Sequence, residues 1–304
     1  MRIAIVGTIN SDRIFPYGGE PVESLGGIYY TTMAMAHLSK GEGSILPICY
    51  VGEDARVKLL DGLGGQQHIS TAGLIFTPQP NHRSILKYFS RTERRERSEL
   101  PFPELPWEAL EPALNADRIL VNMITGWDLS TESFLRLCQA RGEVVHLDIH
   151  YLLMGRDRQG NRYPRKPADA DLWLRGPAFV QMNETEYATL GGFPGEEKAF
   201  FAEKMRPEQH LIITQGKKGA LMLTGMDGRV AEFVEYGIES DEATDPTGCG
   251  DVFGAAFVTA FHRTGSATGA LAFANLAGAA NACLSGTGEM GRLFAQMERL
   301  KPLA

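Results

Sequence analysis

Asp245-Pro246-Thr247-Gly248-Cys249-Gly250-Asp251 runs from turn chemistry straight into an apolar stretch, Val252 to Phe261. A residue that precedes proline is steered away from helix, so Asp245 marks a boundary, and Gly248 and Gly250 let the backbone approach a ligand with no Cβ in the way. Val252, Phe253, Ala255, Ala256, Phe257, Val258, Ala260 and Phe261 are apolar on nearly every face. That pattern predicts a buried helix whose free N–H groups point back at the glycine turn. Such donors, with the helix dipole behind them, suit a phosphate oxygen or a developing negative charge. Asp251 is the one acidic side chain in the run. Three readings compete. The glycines can simply ease helix–strand packing while Asp251 complements the dipole. A dinucleotide fingerprint fails on spacing, because G-x-G-x-x-G from Gly248 needs glycine where Phe253 stands. Cys249 can be a nucleophile with a pKa lowered by the helix start, but it lacks a locatable His partner.

Working back from this stretch, the chain alternates strands and helices. Strands are expected at 1–7, 45–52, 119–123, 144–150, 179–183, 210–216 and 219–224, with helices at 28–38, 107–114, 130–140 and 267–284. This rhythm, with right-handed crossovers, predicts an α/β fold: a mostly parallel sheet covered by helices on both faces. Between Gly73 and Leu100 the rhythm breaks. Leu74–Thr77 and Ser84–Phe89 read as short strands with no helix between them, so 74–100 together with 12–25 is expected to form a small β-sheet lid. Arg91, Arg94, Arg95 and Arg97 interleave with Glu93, Glu96 and Glu99, either as a self-paired solvated surface or as a clamp for a substrate phosphate. Arg156 to Lys166 reads as a loop.

Ligands of open parallel sheets sit beyond the carboxyl ends of the strands, which draws attention to polar residues there. Asn10 and Asp12 are candidates for holding substrate hydroxyls, or form a local Asx turn. Gly26-Gly27 opens a helix and offers a hinge or a close ligand approach. Asp148 and His150 are a conceivable metal pair or a structural turn. Asn183 and Glu186 are three apart: the carboxylate can bind magnesium directly or through water, and a capping box explains the same spacing.

The chain has 304 residues, 43% hydrophobic and 22% charged, enough for one large domain with a smaller appendage, and carries a formal net charge of −7. That charge argues against a nucleic acid or an anionic membrane as the main partner and favours a small substrate. Cys49, Cys138, Cys249 and Cys283 are scattered without CxxC or Cys/His spacing, which suits reduced thiols and a cytoplasmic location. No apolar run approaches membrane-spanning length.

Taken together these residues resemble the PfkB-type carbohydrate kinases of the ribokinase superfamily over most of the chain. Asp245–Phe253 looks like that family's C-terminal signature, Thr8–Asp12 resembles its N-terminal substrate segment and Gly26-Gly27 its di-glycine. Asn183-Glu184-Thr185-Glu186 is similar to its Asn-x-x-Glu motif, and Thr214-Gln215-Gly216-Lys217-Lys218-Gly219 to its nucleotide loop. The resemblance implies one Rossmann-like α/β/α kinase domain over 1–304 with a β-sheet lid, a homodimer contact through that lid, and transfer of the γ-phosphoryl group of ATP, with Mg²⁺, to a hydroxyl of a sugar-like substrate. Asp251 is then the base, and Gly248, Cys249 and Gly250 supply backbone donors to the anion. Asn10, Asp12, Gly26 and Gly27 bind the acceptor. Asn183, Glu186, Thr214, Gly216, Gly219 and Asn281 face the nucleotide, with Glu186 on Mg²⁺ through water. Asp245 and Thr247 flank a monovalent-cation site suited to K⁺. Departures concern the acceptor: Ile28, Tyr29, Tyr30, Thr31 and Thr32 follow the di-glycine where many sugar kinases carry Lys and Asn. Tyr29 and Tyr30 can line a pocket for a base, so a nucleoside kinase of the same fold stands as an alternative. A non-catalytic nucleotide- or sugar-binding protein is a further one, although it would not require Asp251.

Overall fold

Residues 1–90, 94–243 and 245–300 are described by a computed structural model. The strands are β1 (Arg2–Val6), β2 (Ile9–Phe15), β3 (Val22–Gly27), β4 (Ser44–Gly52), β5 (Leu74–Thr77), β6 (Arg83–Tyr88), β7 (Arg94–Glu99), β8 (Arg118–Asn122), β9 (Val145–Asp148), β10 (Met154–Arg156), β11 (Arg162–Pro164), β12 (Phe179–Asn183), β13 (His210–Thr214), β14 (Gly219–Met226) and β15 (Arg229–Tyr236). Nine of them form one sheet in the order β15-β14-β13-β12-β9-β8-β1-β4-β5. From β13 to β5 the neighbours run parallel, and β14 and β15 close the edge antiparallel. Side chains alternate across a strand, so β1 sends Ile3 and Ile5 into one core and Ala4 and Val6 into the other. The first core is closed by helices Ile28–Ser39, Glu53–Leu63, Cys249–Thr264 and Ala267–Asn281. On the opposite face Phe134 and Trp173 stack at 4.2 Å beneath helices Thr131–Arg141 and Ala170–Arg175. The doubly covered sheet read from the sequence is therefore the architecture found.

The lid is a separate four-stranded sheet in the order β3-β2-β6-β7. Its membership differs from the expected 12–25 and 74–100 in two ways. Leu74–Thr77 pairs with Cys49–Gly52 and extends the large sheet, while the lid begins earlier, at Ile9. Asn10 and Asp12 accordingly lie on the first lid strand and not at the end of β1. Segment 156–166 is also more than a loop. β10 and β11 form a hairpin that leans on the outer lid strand, with Ser98 N–H donating to Gly160 O at 2.9 Å and Arg156 Nε to Ser98 O at 3.2 Å. Tyr151 Oη donates to Glu96 from the same side. Arg91 and Glu93 of the charged cluster lie outside the described residues. Arg97 pairs with its strand neighbour Glu99, as a self-paired surface would.

Gly160 has φ of +88°, and a Cβ there would sit 2.5 Å from Ser98 O. Gly160→Val is expected to cost about 1–3 kcal/mol, the range for a residue forced into such backbone. Hydrogen exchange should show the Ser98 amide losing protection while β1 and β8 keep theirs; unchanged exchange at Ser98 would mean that the hairpin does not hold the lid.

Candidate active site at the carboxyl ends of the strands

The glycine turn owes its shape to local hydrogen bonds. Thr247 N–H donates to Asp245 Oδ1 at 2.9 Å, Asn281 Nδ2 donates to Thr247 O at 2.9 Å, and Gly248 caps the helix in the left-handed region at φ +74°. A Cβ on Gly248 would lie 2.4 Å from the Tyr30 ring, so glycine is required twice over, by φ and by contact. Among the described residues the Gly250 N–H has no carbonyl partner, and the space where its Cβ would be is open. Gly250 is therefore the clearest anion donor of the expected trio. The Cys249 N–H turns instead toward Pro246 O at 3.3 Å. The Cys249 thiol is pushed up to about 11 by burial first, with Asn281 opposing and the charges of Asp245 and Asp251 adding to the rise. A thiolate nucleophile at this position is thus disfavoured by the very site that was expected to activate it.

Asp251 is reached by two side chains from different parts of the chain. Asn122 Nδ2, at the end of β8, donates to Asp251 Oδ1 at 2.6 Å, and Thr31 Oγ1 donates to the same oxygen at 3.4 Å. Burial raises the pKa of Asp251, against the lowering effects of the His150 charge and of the Asn122 and Thr31 hydrogen bonds. A carboxyl held above its ordinary range is a better proton acceptor when it is ionised. Gln181 Nε2 bridges Asp148 Oδ2 at 3.1 Å and Gly250 O at 3.0 Å, tying the end of β9 to the helix start. Asp148 is raised well above the usual carboxylate range, by burial first, then with the charge of His150 opposing and those of Glu186 and Asp251 reinforcing.

Asn183 and Glu186 form the capping box that the spacing allowed. Asn183 N–H donates to Glu186 Oε2 at 2.8 Å and Asn183 Oδ1 accepts from Glu186 N–H at 2.9 Å. His150 Nδ1 lies 3.5 Å from Glu186 Oε1. Among the described residues no three His, Cys, Asp or Glu side chains gather as metal ligands. Glu186 Oε1 faces both Asn183 Nδ2 and the His150 ring, while Oε2 accepts from Asn183 N–H and keeps lone-pair capacity for a metal-bound water.

Of the residues expected to bind an acceptor, Asp12 lies flush on Gly26, where a Cβ would fall 1.8 Å from its carboxylate. Asn10 is buried, with Nδ2 donating to Ser84 Oγ at 3.2 Å and Oδ1 without a partner among the described residues. Gly27, at φ +61°, abuts Thr8 O. The adjacent tyrosines part company: Tyr29 packs its hydroxyl against Gly62 of the Glu53–Leu63 helix, and Tyr30 faces the glycine turn. Beyond His150 and Glu186 lies a cavity of about 710 Å³, walled by Arg95 and Glu96 of the lid, Tyr151, Asn161 and Arg162 of the hairpin side, and Asn183. The Arg162 guanidinium is held 4.9 Å over Trp127 and 5.0 Å over Tyr151.

The positions expected to meet a nucleotide divide. Thr214 ends β13 and Gly216 follows it at φ +56°. Gly219 instead serves packing, since a Cβ there would sit 1.9 Å from Glu235 O. Asn281 is 3% exposed and spends its amide on Thr247 O and Cys249 Sγ, so it braces the turn from below. Sequence reasoning missed Asn122, Thr31 and Gln181. The signal for Asn122 was the one used for Asn183, a polar residue ending an apolar strand.

A doubly wound sheet, a lid over its carboxyl edge and a half-buried carboxylate at a glycine-capped helix start define the ribokinase-like fold. Residues 151–292, just under half of the chain, match the family model described as pfkB family carbohydrate kinase. Among solved structures, ribokinase from Thermotoga maritima aligns over 98% of this chain and 98% of its own at 19% identity with a TM-score of 0.73. Arabidopsis thaliana ribokinase, complexed with ribose and ATP, aligns over 99% of each chain at 18% identity and TM-score 0.73. A pyrophosphate-dependent kinase of the ribokinase family, complexed with a pyrophosphate analog and myo-inositol, aligns over 97% of this chain and all of its own at 15% identity and TM-score 0.77. No curated protein sequence matches the chain. The resemblance read from the motifs is borne out by the family model and by the fold.

Burial by itself lowers the pKa of His150, but the Glu186 hydrogen bond and the charges of Glu186, Asp148 and Asp251 override it and lift the ring to about 9. The folded value lies above the ordinary imidazole range of about 6.5. The charged ring's contribution to stability is therefore full below that range and is lost as pH rises through about 9. Imidazole NMR titration should find His150 still protonated at neutral pH, and Glu186→Gln should bring the value down. A wild-type ring that titrates in the ordinary range would show that the pair does not form.

Proposed function

We propose that this chain is a PfkB-type kinase that transfers the γ-phosphoryl group of ATP to a hydroxyl of a small sugar-like acceptor. The observation that carries this reading is Asp251: a half-buried carboxylate, fixed by Asn122 at 2.6 Å, at the start of a helix whose Gly250 N–H has no carbonyl partner among the described residues. Phosphoryl transfer passes through a loose transition state and asks the protein mainly for positioning and charge stabilisation. Asp251 accepts the acceptor's hydroxyl proton as the oxygen attacks, and the Gly250 N–H with the helix dipole stabilises the phosphoryl oxygens. Asn122 and Thr31 hold the carboxylate in place, so little reorganisation is needed at the moment of reaction. Asp12 and Asn10 hold the acceptor's other hydroxyls. Glu186 would hold Mg²⁺ through water, and the ion when bound neutralises charge on the donor phosphates. Protonated His150 adds a positive charge beside that position.

The acceptor class is a sugar or polyol in preference to a nucleoside, because one of the two tyrosines thought to line a base pocket is turned into the core. The donor can be tested directly, since a fold relative uses pyrophosphate. Consumption of ATP, and separately of pyrophosphate, over a panel of sugars, sugar phosphates, polyols and nucleosides is expected to show ATP-dependent turnover with a sugar or polyol. Turnover with no acceptor and either donor would sink the proposal.

With that assay, Asp251→Asn should keep the fold and ATP affinity and lower kcat by roughly two to four orders of magnitude, the usual range for a positioned general base. Cys249→Ala should retain most activity. The opposite pattern, an active Asn variant and an inactive Ala variant, would replace the kinase base by thiol chemistry. Asp12→Ala should raise the acceptor KM far more than it changes ATP binding, because hydroxyls buried against it would be left unpaired. Equal weakening of both ligands would remove Asp12 from the acceptor site.

A further inference from the structure

Gln181 is a polar side chain inside the large sheet, 2% exposed, on β12 between β9 and β13. Alternation along the strand puts it on the same face as Phe179, the face that the Cys249–Thr264 helix covers. An apolar residue would fill that place without the cost of desolvating an amide. Every polar atom of the amide is used. Nε2 donates at 3.1 Å to Oδ2 of Asp148, the residue opposite it in β9, and at 3.0 Å to Gly250 O, while Oε1 meets His146 Nε2 at 3.1 Å. A carbonyl oxygen can only accept, so the amide nitrogen must face Gly250 and the amide oxygen must face His146. His146 Nε2 then carries the proton, and Nδ1, buried without a partner among the described residues, is the bare nitrogen. The His146 ring packs beside Phe179 and Phe257, with centroids 5.9 and 5.4 Å apart, which holds this third partner in place.

Room for the amide comes from Gly254, one turn into the helix. A Cβ there would fall 3.1 Å from Gln181 Oε1, closer than the roughly 3.5 Å at which unbonded carbon packs at ease. Gly254 is not one of the left-handed glycines, so its backbone suits any residue and alanine would favour the helix. The missing side chain therefore serves the amide and not the backbone. What the amide holds is the peptide between Gly250 and Asp251. Gly250 is the second residue of the helix, with open space where its Cβ would be, and a glycine at a helix end is the residue freest to shift. Asn122 and Thr31 hold the carboxylate by Oδ1 alone, while the direction in which the side chain leaves the helix is set by that peptide. Resting on the reading of Asp251 as the base, we infer that Gln181 is a positioning residue that aims the Asp251 carboxylate through its bond to Gly250 O, and that Gly254 lacks a side chain so that the amide keeps its place.

Gln181→Met removes the donor and keeps the length. With an acceptor that the wild type phosphorylates, it should lower kcat about tenfold to a hundredfold, the scale of a misaimed catalytic group, with the KM values for acceptor and ATP changed less than about threefold. That variant also strands Asp148 and His146, so Gly254→Ala supplies a second test, in which the network is kept but crowded. Its kcat should fall about threefold to tenfold, while its melting temperature stays at or above that of the wild type because alanine is the better helix former. A loss of folding stability cannot then account for the slower turnover. In the ligand-free protein, ¹³C NMR gives a reading that needs no substrate: the Gly250 carbonyl resonance should move upfield in Gln181→Met, and the Asp251 amide and carboxyl resonances should shift with it. Unchanged kcat in either variant, a rise in KM that matches the fall in kcat, or Gly250 and Asp251 resonances identical to those of the wild type would each overturn the assignment. Should no acceptor be phosphorylated, the kinase reading fails by itself, and the Gly250 and Asp251 resonances alone decide whether Gln181 holds the carboxylate.

Discussion

Withdrawing Asp251 partly from water is the constraint around which the site is built. An ionised carboxylate in a poorly polarisable interior is costly unless hydrogen bonds and opposite charge compensate it. Here the compensation is drawn from distant parts of the chain: Asn122 from the end of a central strand, Thr31 from the first turn after the di-glycine, and the charge of His150 from the segment beyond β9. Each must be in register for the carboxylate to be tolerated, so the packing of both cores is coupled to the geometry of one side chain. Gln181 extends the coupling, since one amide nitrogen serves Asp148 and Gly250 O, while its oxygen meets His146 at 3.1 Å. Asp148, raised well above the usual carboxylate range, limits the amount of negative charge in that layer.

The lid adds a second set of constraints. Its strands carry Asn10 and Asp12, which therefore sit on the part of the molecule that lies outside the main sheet. The main sheet carries Asn122 and Asn183, while the helix behind it carries Asp251. The small sheet passes into the first helix at Gly26-Gly27, where the φ of +61° at Gly27 and its contact with Thr8 O leave no room for a side chain. Glycine at this junction answers both a backbone requirement and a packing one.

Much of the frame was legible because strands buried on two faces are continuous apolar runs, and β1, β4, β8, β12 and β13 all read that way. The edge strand β15 alternates exposed Glu232, Val234 and Tyr236 with half-buried neighbours and carried no such run. Leu74–Thr77 was assigned to the wrong sheet because sequence shows that a segment is extended but not which edge it joins. In the site, the glycine turn was readable from its own residues. The role of Asn281 was not, because an amide facing a nucleotide and one bracing a turn have the same sequence. Asn122 and Thr31 were missed since their partner, Asp251, is 129 and 220 positions away, beyond the reach of local pattern.

The hairpin at 154–164 gives the lid an unusual kinematics. A flap hinged along one side swings, but this sheet is attached at Gly26-Gly27 and also docked along β7, where Ser98 and Gly160 pair. The sheet is fastened at its centre as well, through Asn81, which accepts from Gly52 N–H and donates to Ile9 O, so three separate attachments hold it over the strand ends.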